Sequence, residues 1–511
     1  MSDSIDLQTA LDGCAFLGMM ARKKVDTSTV PPPPPTYGHV ACTLSPSPVP
    51  RDVFETLQEV SPAFSVAKVA MCAGGGEWMM SVLKGVGAVD PFVAKLLAIA
   101  DRTYKPSATS GAASATGPAY DDLVLALTRN DFMLHRGKDG KVVPVQVEMN
   151  MISASFSNLG PRAFELHRYL RHVAGADDVD APEYTTACLD PATMVPAAMA
   201  DAVRAYEEAA PEGVTTTGAV VLMVVQEGER NTLDQRPFEW RLWRDHGIRV
   251  LRRTMAECAV PLAEGAARGN RRPGALVVDG HEVALVYFRA GYTPTDYPTD
   301  LQWDVRYQLD RSAAICCPNV MNQLSGLKAV QAAFSLDPTV LPRFLPGDPT
   351  AVTAMQRTFA TFHALGTPDD GPIIDAALED KCASWVLKPC REGGGNNLYK
   401  AEAVAALLRL RSSPDRAQYI LMSRIVPPAH KADILRDGVI HRGVECVSEL
   451  GLYGATLSKG KDGEVVFVRT TGALLRTKLE MVDDGGVAAG VAVLDSIRLT
   501  EEEELGKRKR K

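Results

Sequence analysis

Three stretches hold side chains whose types and spacing suit phosphate and metal chemistry. In Trp385–Tyr399 an apolar run ends on Lys388, Pro389 stops it, and Arg391 and Glu392 lead into Gly393, Gly394, Gly395, Asn396 and Asn397. Glycines reach positive φ and leave backbone N–H groups bare, so such a turn closes round a phosphate as a nest of donors. Lys388 adds a mobile positive charge, and Glu392 a carboxylate for the metal that accompanies a nucleotide. Three glycines alone would more often mark a polar hairpin turn. The second stretch, Val145–Ile152, alternates, with Gln146, Glu148 and Asn150 on one face and like-facing neighbours about 6.5–7 Å apart. A carboxylate and an amide oxygen so spaced can share one magnesium ion, although alternation alone more often describes a half-buried strand with a wet face. The third is Leu474–Lys478, where Arg476 and Lys478 share a face if the segment is a strand and make a positive pair for phosphate or carboxylate.

These side chains need strands and turns to hold them. Residues 5–24 have helical spacing, with Ile5, Ala10, Leu11, Phe16 and Leu17 on an apolar face. Pro31–Pro35 impose a stiff, extended connector. Helical patterning resumes near Asp52 and runs to Ala100, broken at Gly74–Gly76. Ala219–Val225 reads as a buried strand, with Glu229, Asn231 and Gln235 in the polar stretch beyond it. In parallel sheets ligands gather past the carboxyl ends of strands, though a solvated loop and a following helix fit equally. Val283–Phe288 reads as another strand and delivers Arg289 and Tyr292; the arginine either forks onto a carboxylate or faces solvent. Lys328 by itself marks a helix surface. Tyr419–Ile425 is apolar enough to wall an adenine pocket, as are many ordinary core strands. The glycine- and alanine-rich run Asp483–Ala492 either hinges over a ligand or packs as a tight loop.

The string Lys388–Tyr399 closely resembles the glycine-rich loop of the eukaryotic-type glutathione synthetases, members of the ATP-grasp superfamily of carboxylate–amine ligases. Further signatures follow in the family's order from about Arg129 to Asp495. Residues 145–160 resemble the metal and dipeptide segment, and 483–492 the alanine-rich loop. The fold this implies is α/β (α+β): an ATP-grasp body formed by 1–218, 326–360 and 445–511, an inserted α/β substrate-binding domain at 219–325, and a lid domain at 361–444. The activity implied is ATP- and magnesium-dependent ligation of γ-glutamylcysteine to glycine through an acyl phosphate, giving glutathione, ADP and phosphate.

By the same resemblance, Glu148, Asn150 and Glu392 hold Mg2+. ATP meets Lys328, Lys388, Glu392, Gly393, Gly394, Gly395, Asn396, Asn397 and Tyr399, the hinge Met422, Ser423, Arg424 and Ile425, and then Glu449, Lys478 and Asp484. The dipeptide meets Arg129, Ser153, Ala154, Ser155, Glu229, Asn231, Gln235, Arg289, Tyr292 and Arg476, while Val487 and Ala488 border glycine. Arg476, Lys388 and Arg129 carry the catalysis, and a homodimer is implied. The sequence departs from the family pattern at Cys390, where many members have glutamine, at Ser423-Arg424 in place of the usual charged pair, and at Ala329 in place of a second lysine. Those departures bear on nucleotide affinity and selectivity.

The remaining composition sets bounds. The 511 residues suffice for two or three packed units. A net charge of −7 argues against a general nucleic-acid grip, which needs a basic face. Ten cysteines without C-x-x-C spacing, Cys316 and Cys317 being adjacent, suit a reducing cytoplasm. The short apolar patch Cys14–Ala21 argues against a cleaved signal peptide, and the longest apolar run, Ala219–Val225, is too short to span a membrane. The acidic and basic residues from Glu501 to Lys511 read as a solvated tail. The chain lacks the G-x-x-x-x-G-K-[ST] string of a P-loop kinase. Two rivals stay open: a related ligase that takes β-alanine or serine, and an ATP-binding regulatory module without turnover.

Overall fold

The computed structural model describes residues 5–23, 33–73, 76–104, 123–178, 181–185, 190–214, 216–259, 274–391, 396–483, 485, 487 and 490–501. Gly74, Gly75, Pro31, Pro32 and the charged tail from 502 lie outside them. Three sheets carry the architecture. The largest has seven strands in the order His430–Arg436, Cys42–Thr43, Val493–Asp495, Glu464–Leu479, Val439–Lys459, Val124–Arg136 and Val142–Asn150. His430–Arg436 also pairs with Val439–Lys459, so the first five strands close into a ring. The helix Arg51–Cys72 lies against Val439–Lys459 and Glu464–Leu479, burying Val53, Phe54, Leu57, Val60, Phe64, Ala67 and Met71 at the three- and four-residue spacing of one helix face.

The second sheet holds four parallel strands in the order Ile315–Cys317, His281–Phe288, Val220–Val225 and Val250–Thr254, with Val277–Val278 added antiparallel. Both faces of Val220–Val225 are covered, which explains its unbroken apolar run. Val221 and Met223 pack with Val195, Met199, Val203 and Phe238 of the helices Pro191–Glu208 and Thr232–His246. Val220, Leu222 and Val224 face the main core. The chain leaves Val220–Val225 toward one neighbour and returns on the other side at His281–Phe288. This reversal of strand order puts Gln226 and Arg289 side by side at the carboxyl ends, the position where open α/β sheets bind ligands.

The third sheet is antiparallel, in the order Phe362–Ala364, Tyr419–Ser423, Trp385–Pro389 and Leu398–Tyr399. Strand alternation divides its two faces. Leu387 and Leu421 pack with Ile374, Ala377, Ala403 and Leu407 of the helices Gly371–Glu379 and Lys400–Leu410. Val386, Lys388 and Met422 face the opposite way, into a cleft. Within 361–444, then, Phe362–Ser423 builds this sheet, whereas His430–Arg436 belongs to the seven-stranded one.

Two local patterns differ from the sequence expectation. Residues 5–24 form a shorter helix, Leu7–Phe16, and then a strand, Met20–Arg22. Gly18, at φ 70°, ends the helix as Met19 N–H donates to the Cys14 carbonyl. In Val142–Asn150 the register slips: Asp131 pairs with Glu148 but Phe132 with Gln146, leaving Val147 as a bulge. Val147, Glu148 and Asn150 consequently line the cleft, while Gln146 is buried against Asn130 and Gln331. Among the described residues no helix is long and apolar enough to cross a membrane.

Candidate active site

A cleft of about 850 Å³ opens between the seven-stranded and four-stranded sheets, within the range typical of small-molecule sites. Its floor is a charge cluster set by strand register. Arg129 and Asp131 project from the same face of Val124–Arg136, two residues apart. The Arg129 guanidinium donates Nε to Asp131 Oδ1 at 2.6 Å and Nη2 to Oδ2 at 2.8 Å. Arg476, paired in register with Glu449, donates Nη2 to Asp131 Oδ2 at 2.8 Å and to Glu449 Oε1 at 2.7 Å. Asn150 Nδ2 adds a bond to Asp131 Oδ2 at 2.8 Å. Asp131 is fully buried, so each of these bonds is made out of water, where charge-assisted contacts are strong. Gly451 is the glycine this arrangement requires, because a Cβ there would sit 2.7 Å from Asp131 Oδ1 and 2.8 Å from Arg129 Cδ.

The second cluster adjoins the first, since Glu148 pairs in register with Asp131 on the neighbouring strand. Lys328 opens the helix Lys328–Leu336 and reaches Glu148 Oε2 at 3.1 Å. Lys388 lies beside the Val147 carbonyl and the Met422 sulfur, 3.5 Å from each. Burial works to raise the Glu148 carboxyl, but Lys328, Lys388 and Arg476 outweigh it and lower it from 4.5 to about 2. Burial raises Glu449, with Asp131 and Glu148 adding to the shift against Arg476. Burial alone would lower the Arg129 guanidinium; Asp131 outweighs it and keeps the cation firmly protonated.

Glu148 and Asn150 bring a carboxylate and an amide group to the same wall. The Asn150 amide nitrogen is spent on Asp131 and the Arg129 carbonyl, which leaves its oxygen as an acceptor. Hard oxygen donors of this kind fit magnesium, which takes one or two protein oxygens and fills its sphere with phosphates and water. Among the described residues no group of three or more His, Cys, Asp or Glu side chains could hold a metal unaided.

Toward the parallel sheet the cleft is walled by Ser153, Ala154 and Ser155. Ser153 and Phe156 take φ of 54° and 73°, rare for residues with a Cβ, and persist because the segment is held from every side. Arg289 donates to the Ala154 carbonyl at 2.8 Å and to Ser155 Oγ at 2.9 Å. The Ser155 carbonyl accepts from Arg129 at 3.1 Å and from the Tyr453 hydroxyl at 2.5 Å. Asp234 accepts from the Phe156 and Asn158 N–H groups.

Most of the residues picked out in the sequence meet here. Arg129, Glu148, Asn150, Ser153, Ala154, Ser155, Tyr292, Lys328, Lys388, Asn397, Tyr399, Met422, Ser423, Arg424, Ile425, Glu449, Arg476, Lys478 and Val487 all line the cleft. Glu229, Asn231, Gln235 and Arg289 do not; they form a layer behind it, with Gln235 donating to Glu229 at 2.7 Å and accepting from Arg252 at 2.9 Å. Asn396 is exposed and does not line it. Glu392, Gly393, Gly394, Gly395, Asp484 and Ala488 lie outside the described residues. Sequence reasoning passed over Asp131, Asp234 and Tyr453. The Arg129–Asp131 spacing signals one of them, since residues two apart share a strand face; Tyr453 is found only through its register opposite Arg129.

The family model described as eukaryotic glutathione synthase, ATP binding domain, matches residues 7–499. Among similar curated proteins, the glutathione synthetase of Bos taurus is 36% identical over 489 residues, 95% of each chain. That of Homo sapiens is 36% identical over 490 residues, again 95% of each. A chloroplastic glutathione synthetase of Solanum lycopersicum is 34% identical over 96% of this chain and 83% of its own. A solved structure of a glutathione synthetase-like effector of Globodera pallida, in apo form, superposes with a TM-score of 0.68 at 20% identity, covering 97% of this chain and 96% of that one, which speaks for the fold. By sequence over nearly its whole length, this chain belongs to the eukaryotic glutathione synthase family.

Proposed function

We propose that the protein is a glutathione synthetase, an ATP-dependent carboxylate–amine ligase that joins γ-glutamylcysteine to glycine and releases glutathione, ADP and phosphate. The observation that carries this reading is the meeting, in one cleft, of Lys328, Lys388 and Glu148 with the Arg129–Asp131–Arg476–Glu449 cluster. Phosphoryl transfer to a carboxylate needs positioning and charge neutralisation more than a protein nucleophile, and these side chains supply both. Lys328 and Lys388 receive the phosphates. Arg476, kept in place by Asp131 and Glu449, steadies the dipeptide carboxylate as its oxygen attacks the γ-phosphorus and then the acyl phosphate that results. Arg129 fixes the Ser153–Ser155 wall against which the dipeptide lies, and Arg289 supports that wall from behind. The glycine amine attacks the acyl carbon beside Val487 and Ala488, and phosphate leaves with one former carboxylate oxygen.

Mg2+ would be held by Glu148 and Asn150, joined by Glu392, and when bound supplies neutralisation of charge between the phosphates. Val386, Met422 and Ile425 offer an apolar wall for adenine. The remaining assignments belong to the same proposal: a body of 1–218, 326–360 and 445–511, a substrate domain at 219–325, and a lid at 361–444 whose sheet ends at Ser423. So do a homodimeric state and a cytoplasmic setting. No nucleic-acid or membrane partner is proposed. The experiment is a turnover with 18O in the glycine-accepting carboxylate of the dipeptide. Transfer of one 18O into inorganic phosphate supports the acyl phosphate route; glutathione formed without that transfer refutes it.

A further inference from the structure

We propose that Asp483 is a positioning residue that clasps the four-stranded sheet unit to the seven-stranded sheet at the rim of the cleft. Asp483 follows the strand Glu464–Leu479, and Lys478 Nζ donates to its carbonyl at 2.7 Å, which ties its backbone to that strand. Its carboxylate reaches across to the other unit. Oδ2 lies 2.7 Å from Lys400 Nζ at the start of the helix Lys400–Leu410, and Oδ1 lies 3.3 Å from Arg424 Nη2 just past the strand Tyr419–Ser423. Arg424 and Asp483 both line the cleft.

A second, independent observation singles out Lys400. Its φ is 45°, in the left-handed region where glycine sits without strain and a side chain does not. The position therefore carries a lysine against the preference of its own backbone, and the atom that the lysine extends to is the Asp483 carboxylate. The three side chains are 55%, 40% and 28% exposed, for Lys400, Arg424 and Asp483 respectively. Exposed pairs are individually weak, each biasing an open–closed balance by a factor of about 1.4 to 5 and two of them together by about 2 to 30. Such a bias suits a latch that must release product each turnover.

This inference rests on the ligase reading and deepens it. In an open cleft, water attacks the acyl phosphate at its carbonyl carbon and the bond to the phosphate oxygen breaks. The dipeptide carboxylate and inorganic phosphate leave with the protons from water, so ATP is spent and no glutathione forms. The clasp is thus read as the ratio of ADP to glutathione produced at low glycine. For the intact full-length chain this ratio is near one. In Lys400→Gly, which removes one pair, it rises about 1.4- to 5-fold, and in Asp483→Asn, which removes both, about 2- to 30-fold; the double variant exceeds Asp483→Asn by no further step, because Asp483→Asn already removes the Lys400 contact. Raising salt from about 50 to about 500 mM moves the unmodified protein toward the variants, as screening weakens exposed pairs. Asp483→Glu restores coupling. Lys400→Gly relieves backbone strain, so a melting temperature at or above that of the parent, together with the raised ratio, separates the clasp from loss of folding. A ratio that stays at one in Asp483→Asn and Lys400→Gly at every salt concentration, with the parent making glutathione normally, overturns the clasp. A parent that makes no glutathione overturns the ligase reading instead.

Discussion

Asp131→Asn tests the centre of the site most sharply. The native carboxylate has no solvent exposure and receives two bonds from Arg129, one from Arg476 and one from Asn150. Asparagine keeps the shape but turns one oxygen into an NH2 group, which then faces a guanidinium or amide donor. Two arginines whose side chains are 5% and 11% exposed lose their shared counter-charge, and Arg476 keeps only Glu449 as a directly bonded carboxylate. Breaking a buried ion pair from one side costs about 3–5 kcal/mol. At about 2.1 cal/mol/K per residue, the unfolding entropy of 511 residues is about 1.1 kcal/mol/K, so calorimetry should show the main transition about 3–5 °C lower. Turnover should fall by about 100-fold or more, because Arg476 no longer has a fixed position at the reacting carboxylate. A variant that melts with the parent and turns over within about twofold of it would refute the reasoning, since the hub would then be neither buried support nor catalytic frame.

Three further outcomes follow from particular contacts. Lys388→Met should weaken ATP binding by about 10- to 100-fold in calorimetric titration with circular dichroism unchanged, because a buried ammonium that meets phosphate is lost; unchanged affinity would remove Lys388 from the nucleotide site. The Glu148 carboxyl, lowered from 4.5 to about 2, gives stability that is fully present above 4.5 and is lost as pH falls through about 2, worth about 3 kcal/mol. Glu148→Gln should flatten the fall in melting temperature over that window, and a slope equal to the parent's would contradict the assignment. Gly366→Ala should loosen the four-stranded unit by about 3 kcal/mol, because Gly366 has φ 85° and a new Cβ would lie 2.4 Å from Ala417 Cβ. Hydrogen exchange should quicken first in residues 362–423; uniform exchange across the chain would argue against a separate unit.

What the sequence disclosed and what it concealed have physical causes. Lys388, Glu148, Arg476 and Lys478 were legible because each sits on a strand whose alternation declares its face. Gln146 was misplaced by the same rule, since one bulged residue at Val147 inverts the faces before it and leaves no mark in composition. The Arg129–Asp131 pair was within reach of spacing alone, but its bond to Arg476 joins strands 345 positions apart and depends on register, which only the folded sheet fixes. Arg289 read as either a fork for a carboxylate or a solvent-facing arginine, with a dipeptide contact implied by the resemblance. Here its Nη1 group donates to the Ala154 carbonyl and its Nη2 group to Ser155 Oγ, one backbone and one side-chain contact across 134–135 positions that spacing does not foretell. Asp483 passed unnoticed beside a glycine-rich run, and Lys400 beside a helix start, because the strain that sets Lys400 apart is a dihedral angle.

The most direct measurement follows ADP and glutathione together from the purified protein with ATP, magnesium and γ-glutamylcysteine, adding glycine, β-alanine, serine or no amine. The account predicts ADP release that requires both the dipeptide and glycine, with glutathione formed in equal amount. Preference for β-alanine or serine would contradict glycine as acceptor, and ATP binding without ADP release under any combination would contradict the ligase itself.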